Sequence, residues 1–528
     1  MGRRQSDYST PSIDEIILDT AIVRVKQSIL TDQFTPWKFH PRGSSFEPQA
    51  YASKTFVTSI SIQQNTSAHS WQSANHTNDI DESYTISLTE DGIVTITSIS
   101  YLGALHALET LSQLFYKHSD PTAGIYTALA PVEISDYPSF QHRGLNLDIT
   151  RNVFSPADVN HTIDAMASNK FNRLHLHATD AQSWPLEIPS FPELAAKGAY
   201  HPDQIWTVQD LQDVQSHGLS RGVSVFLEID MPGHTASIAK AYPELITACD
   251  EQPDWLTYAA EPPSGQLKLN SSAVFRFVDT LLSDLLPRTT PYSSYFHSGG
   301  DEVNSNAYLF DETVLSNDSS TIQPLLQTFF SQVHNKIRAG GATPIIWEEM
   351  LLDWNLTLGP DVLVQTWRSD DALLQTVQKG FRALAGNYNH WYLDCGFGQW
   401  LDPALGSYVI AKPYADYCSP VKNWREIYTY DILSGIPPDL AHLVVGGEVH
   451  MWTEKTDPVN LDTMLWPRAA AAAEVLWSGS RDAGGNSRPV ANATRRLAEQ
   501  RERLVVRGVR AGPVQMVWCL QNEGGCAL

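Results

Sequence analysis

SSYFHSGGDEVN, residues 293–304, joins a short apolar run to two glycines and then to two adjacent carboxylates, Asp301 and Glu302. An exposed loop would explain the acids simply, but the same texture recurs along the chain. Apolar runs that read as strands lie at GLNLDIT (144–150), NRLHLHATD (172–180), VSVFLEID (223–230), SSYFHSGG (293–300), TPIIWEE (343–349), VLVQTWR (362–368), RALAGN (382–387) and HLVVGGEVHMW (442–452). Helical patterns such as PADVNHTIDAMASN, SAVFRFVDTLLSDLL and PLLQTFFSQVHNKIRAG separate most of them. Eight near-continuous apolar strands alternating with helices predict an α/β fold, a (β/α)8 barrel whose strands are buried on both faces. A doubly wound open sheet is the alternative. It is weakened because no G-x-G-x-x-G follows the first strand and no G-x-x-x-x-G-K-[ST] occurs.

Polar and aromatic residues gather at the carboxyl ends of these strands. Asp180 ends the second and Asp230 the third; Asp301 and Glu302 follow the fourth. Trp347 and Glu348 close the fifth, Trp367 the sixth, and Trp452 and Glu454 the eighth. In such a barrel that end carries function, and burial alone does not predict one-sided enrichment.

Upstream, residues 1–138 mix apolar runs (AIVRVKQSI, SYTISLTEDGIVTITS) with one helical stretch, YLGALHALETLSQLF, in which a leucine recurs every third position from Leu102 to Leu114. This reads as a small α+β domain, joined through DYPSF (136–140) to a catalytic domain at 139–528 with a C-terminal helix. The formal net charge of -23 and a pI near 5.1 disfavour nucleic acid and anionic membrane surfaces as partners. No apolar run is long enough to cross a membrane.

Seven Asn-x-Ser/Thr sequons, at Asn65, Asn75, Asn160, Asn270, Asn317, Asn355 and Asn492, favour a secretory route. Five cysteines allow two disulfides and one thiol, and none of their spacings reads as a zinc site. MGRRQSDYST lacks the apolar core of a signal peptide, so the start is read as truncated or misassigned.

Carboxylates among tryptophans suit sugar chemistry: indole faces stack on pyranose C–H surfaces, and carboxyl groups hold hydroxyls and move protons. The usual glycosidase pair flanks the anomeric carbon from opposite sides. Neighbours along a strand point to opposite faces, so Asp301 and Glu302 do not suit that geometry, and the two acids are expected to do unequal work.

HSGGDEVN resembles the H-x-G-G-D-E signature of family 20 glycoside hydrolases, the β-N-acetylhexosaminidases. The likeness continues in order through HRGLNLDITRN, HATDAQSWPLEIPSFPELAAKGAY, DMPGHT, IIWEE, WYLD, MWTE and LWPRAAAAAEVLWS, and HATDAQSWP is most like the secreted fungal branch. The resemblance implies a retaining mechanism in which the substrate's own acetamido oxygen is the nucleophile. It implies Glu302 as acid/base, Asp301 orienting the acetamido N–H, Tyr392 bonding its oxygen, and Asp180 and His234 as a hydrogen-bonded relay toward Glu302. Trp347, Trp367 and Trp452 would wall the pocket, and Arg143, Asp394 and Glu454 would hold sugar hydroxyls. The family also suggests Cys395–Cys418 and Cys519–Cys526 bridges. Cys249 is left free, because Ala307 stands where many relatives carry its partner. No cofactor or metal is implied, and a homodimer is open.

Residue by residue, other readings stand beside these. Arg143 could be a structural ion-pair partner, and His234 a cap for the following turn. His175 and His177 share a strand face and could ligate metal, but lack an evident third ligand and read as packing groups. The expected activity is exo-hydrolysis of terminal N-acetylglucosamine, or N-acetylgalactosamine, from chitooligosaccharides or glycans. A disaccharide-releasing lacto-N-biosidase and a non-catalytic sugar-binding protein are the rivals.

Overall fold

The structure, a computed structural model, describes residues 12–50, 55–64, 80–402 and 415–527. The predicted strand runs form a closed, all-parallel barrel: β5 (His142–Asp148), β6 (Arg173–His177), β7 (Ser224–Glu228), β8 (Tyr295–His297), β9 (Thr343–Trp347), β10 (Leu363–Thr366), β11 (Arg382–Ala385) and β12 (Val444–Met451). Closure is by β12 on β5, with Gly446 opposite His142.

Alternation along each strand sorts the side chains. Leu145, Leu147, Leu174, Leu176, Val225, Leu227, Phe296, Ile346 and Val364 belong to the main core under the outer helices. The other set turns inward and is mixed. Phe226, Tyr295, Ile345, Leu363 and Leu384 form a separate apolar layer. Further along the strands, His175, Glu228, His297, Gln365, Glu448 and His450 lie fully buried.

Local chemistry sets the helix ends. Ser155 and Asp158 form a capping box on α3 (Pro156–Ala167), and Thr207 and Asp210 do so on α4 (Val208–Arg221), which stops at Gly222 in the left-handed region. The outer ring continues with α5 (Ser272–Thr289) and α6 (Ser319–Ala339). Asp318 caps α6, so this helix starts ahead of Pro324, the first residue of the predicted run PLLQTFFSQVHNKIRAG.

The small domain carries a four-stranded sheet, ordered β1 (Ser59–Gln64), β3 (Ile93–Ser98), β2 (Tyr84–Leu88), β4 (Val132–Asp136). It has two helices rather than one. AIVRVKQSI lies inside α1 (Ile13–Leu30), begun by a Ser12–Glu15 capping box, and α1 packs in one core cluster with α2 (Tyr101–Gln113). Leu219 of α4 and Trp477 join that cluster and tie the small domain to the barrel.

Candidate active site

At the carboxyl end of β8 the chain turns through Gly299 (φ 71°) and Gly300 (φ 105°). A Cβ on Gly299 would collide with the Asp230 side chain, so both the left-handed turn and the close approach require glycine. Asp301 and Glu302 therefore leave the strand, and strand alternation does not govern them. Glu302 itself sits at φ 52°, a strain that persists in a non-glycine residue only where its surroundings over-determine it. Both carboxylates converge on one imidazole: His234 Nε2 lies 3.2 Å from Glu302 Oε2 and 3.9 Å from Asp301 Oδ2.

His234 Nδ1 lies 3.0 Å from Asp180 Oδ1, which completes an Asp180–His234–Glu302 chain. Burial alone would lower the His234 pKa, but Asp180 and then Asp301 outweigh it and hold the ring well above its ordinary value. Burial would raise Asp180; Arg151, then His234 and His177, hold it well below the usual carboxylate range. Asp301 is pushed up, first by burial. Asp230 is pushed further, by burial and then by Asp301, while its Oδ1 accepts the Gly300 N–H at 3.0 Å. The His234 ring pulls against burial at both, and ranks directly after burial at Asp301, 3.9 Å away.

Aromatic residues box in the space beside these acids. Trp367 stacks on Tyr392 with ring centroids 6.2 Å apart and planes 17° from parallel, and Trp452 stands 6.4 Å from both Tyr392 and Trp347. Two of the walls are held by buried acids: Trp347 Nε1 donates to Glu228 Oε1 at 2.7 Å, and Trp367 Nε1 to Glu349 Oε1 at 2.9 Å. A Cys395–Cys418 bridge packs against Tyr392 and braces the segment that carries it. A Cys519–Cys526 bridge is also present, and Cys249 is free and exposed. At Ala307, where the family resemblance implies the cysteine of a third bridge in many relatives, the backbone carbonyl accepts from Thr247 Oγ1 at 3.0 Å.

Arg143 is not at this site. It is the second residue of β5, at the amino end of the barrel, and is fully buried. Its guanidinium forks onto Glu82 of the small domain at 3.1 and 2.5 Å and lies 5.0 Å over the Trp477 ring. The arginine at the mouth is Arg151, just past the other end of the same strand. It reaches Asp180 at 2.8 Å and Asp148 at 3.4 Å, pairs with Glu261, and lies 5.1 Å over Trp452. The strand predicted at 144–150 already held this distinction, since Arg143 precedes it and Arg151 follows it.

Glu454 and Asp394 share the mouth. Burial, then Glu261, pushes Glu454 well up against the pull of Arg151. Burial pushes Asp394 up to about 7. Glu261 and Glu228 carried no recognisable signal, because each is defined by partners far away in sequence, whereas Glu349 stands inside IIWEE with no role assigned to it there.

His175 has a third neighbour after all: Glu228 and His297 lie with it close enough for a shared ion, with ligand atoms within 4.8 Å of one another. Both His175 nitrogens are engaged, and His297 Nδ1 accepts the Gly299 N–H at 3.0 Å. His175 holds Glu228 and Glu448, each at 3.0 Å, and His297 Nδ1 lies 3.1 Å from Glu228. Burial would lower the His175 pKa, but Glu448 and Glu228 outweigh it and raise it to about 9, whereas burial holds His297 below its ordinary value against Glu228.

Of the sequons, Asn65 and Asn75 lie outside the described residues. Asn270, Asn317, Asn355 and Asn492 are exposed, whereas Asn160 Oδ1 is buried. No helix among the described residues is long and apolar enough to cross a membrane.

Residues 140–480 match the catalytic domain of glycosyl hydrolase family 20, and residues 3–114 match a domain described as beta-acetyl hexosaminidase like. A beta-hexosaminidase of Arthroderma benhamiae is 50% identical over 98% of this chain and 86% of its own. A chitooligosaccharidolytic beta-N-acetylglucosaminidase of Bombyx mori is 33% identical over 85% of this chain and 75% of its own. Among solved structures, a Flavobacterium johnsoniae chitobiase superposes with a TM-score of 0.71 at 25% identity, covering 93% of this chain and 68% of that one. With a barrel that carries its acids, aromatic box and arginine at one mouth, the chain belongs to glycosyl hydrolase family 20 and is a glycoside hydrolase of the β-hexosaminidase kind.

Proposed function

We propose that the protein is an exo-acting, retaining β-N-acetylhexosaminidase that removes terminal N-acetylglucosamine, and N-acetylgalactosamine where its pocket admits the epimer, from chitooligosaccharides or glycans. The observation that carries this reading is the convergence of Asp301 and Glu302 on His234 beside the aromatic box. Two acids on one side of a pocket cannot flank the anomeric carbon. They can serve two groups of one sugar, the glycosidic oxygen and the acetamido nitrogen.

In this reading the acetamido oxygen forms a bond to C1 as the C1–O bond breaks. The bonding electrons leave with the glycosidic oxygen, which takes the Glu302 proton. Asp301 accepts the acetamido N–H, whose nitrogen gains positive charge, and Tyr392 donates to the acetamido oxygen. Water then attacks C1 from the vacated side, gives a proton to Glu302 and reopens the ring. Two inversions amount to retention.

Trp347, Trp367 and Trp452 wall the acetamido group and sugar ring. Arg151, Asp394 and Glu454 receive the hydroxyls of the terminal sugar and close the far end, as exo action needs. The two disulfides and the four exposed sequons support a secreted glycoprotein. A chromogenic N-acetyl-β-glucosaminide, its galacto-epimer and the plain β-glucoside test the reading together. Fast turnover of the first with none of the last is expected, and hydrolysis of the plain glucoside at a similar rate would overturn substrate assistance.

A further inference from the structure

We infer that Glu228, at the carboxyl end of β7, is a positioning residue that ties the acetamido pocket wall to the acid/base relay, holding Trp347 with one oxygen and His177 with the other. This rests on the proposed reading of Glu302 as the acid/base.

The connections are direct. Glu228 Oε1 accepts the Trp347 indole N–H at 2.7 Å, while Oε2 lies 2.5 Å from His177 Nδ1 and 3.0 Å from His175 Nε2. His177 Nε2 is 2.7 Å from Asp180 Oδ2, and the other oxygen of Asp180 holds His234. Behind Glu228, His175 Nδ1 meets Glu448 at 3.0 Å, and Glu448 meets His142 at 2.6 Å. An unbroken row of buried acids and imidazoles thus runs from the amino end of β5, along the barrel interior, to the residue at the mouth that faces Glu302.

Stability does not call for such a row. Ion pairs in a protein interior can often be replaced by apolar residues of similar volume without loss, so their presence is better explained by the geometry they impose. His177 has both ring nitrogens committed, so turning the ring breaks two bonds at once. Burial would lower its pKa, but Glu228 and Asp180 outweigh this and push it up to about 10, so it donates at both ends. Fixing Glu228 therefore fixes His177, then Asp180, then the His234 ring beside Glu302. The same carboxylate sets the plane of Trp347.

Glu228→Gln separates the two branches. Its amide oxygen still accepts from Trp347, but its amide nitrogen cannot accept from His177. We expect KM for a nitrophenyl N-acetyl-β-glucosaminide within about threefold of wild type and kcat lower by about 10–100-fold, part of the 10²–10⁴ typical of general acid catalysis. The loss should be larger on an unactivated disaccharide. In an Asp180→Asn background the same change should cost less than about threefold more, since residues acting through one chain are not additive.

A folded variant with kcat within about twofold of wild type, or losses that simply multiply in the double variant, would overturn the inference. A purely structural residue would lower the melting temperature and leave both kinetic signatures unmoved. If Glu228→Gln does not fold, His177→Gln cuts the chain one step nearer the mouth and is read by the same assays. Absence of turnover by the wild type would instead sink the proposed function.

Discussion

Replacing either arginine of the β5 region by lysine should have opposite consequences. Arg151 and Arg143 stand at opposite ends of β5, and each is buried against carboxylates. Arg151→Lys keeps the charge, but an ammonium cannot fork to Asp180, Asp148 and Glu261 while covering the Trp452 face. Losing one charge-assisted hydrogen bond is worth ~1.5–3 kcal/mol. If that bond is made in the transition state, kcat/KM falls about 10–150-fold, at about 1.36 kcal/mol per decade.

The pH profile should move as well. Asp180 receives the His177 and His234 rings only as a carboxylate, and Arg151 is foremost among the groups that hold its pKa below the ordinary range. A poorer cation lets that pKa rise, so on going to acid the variant loses activity at a higher pH than wild type does. Arg143→Lys should do neither. It should lower the melting temperature, because breaking one arm of a buried pair costs up to ~3–5 kcal/mol, and leave kcat and KM of the folded enzyme unchanged. Steady-state kinetics across pH, with thermal melts of both variants, decide the matter. Equal loss of kcat/KM in Arg143→Lys, or an unmoved acid limb in Arg151→Lys, would refute the assignment.

Further expectations concern the acids and the box. Glu302→Gln should lose more activity on a natural disaccharide than on an aryl glycoside with a good leaving group, within the ~10²–10⁴-fold range of general acid catalysis, whereas Asp301→Asn should hurt both alike; equal losses on the two substrates in Glu302→Gln would count against its role as acid. Trp452→Ala should raise KM and lower kcat together, because the ring both binds and positions the sugar, and an unchanged kcat/KM would make it a packing residue only. Asp394, with its folded pKa raised to about 7, contributes stability that is fully present below its unfolded pKa and is lost as pH rises through the folded value. Asp394→Asn should therefore flatten the melting temperature between about pH 4 and 7 and raise it at the upper end, and an unchanged slope in thermal melts would contradict that.

Much of the barrel and of its mouth is legible in the residues alone. Strands buried on both faces must be apolar along their length, which leaves runs such as VSVFLEID plain to read, and strand direction sends Asp180, Asp230, Asp301 and Trp452 to one end. A short apolar run such as AIVRVKQSI does not reveal its own helix, which the Ser12–Glu15 cap and packing on α2 decide.

Which buried acids work together is settled only by the closed barrel. Glu228 meets His177 51 residues away and Trp347 119 away, and Glu448 meets His142 across 306. Barrel closure brings these residues together, and no periodicity records it. The fold also separates Arg143 from Arg151. Both lie in one short stretch, HRGLNLDITRN, but a strand is straight, so its two ends face a domain interface and a pocket with different carboxylates. A charge in a low-dielectric interior takes its meaning from the charges around it, and those are set by the fold.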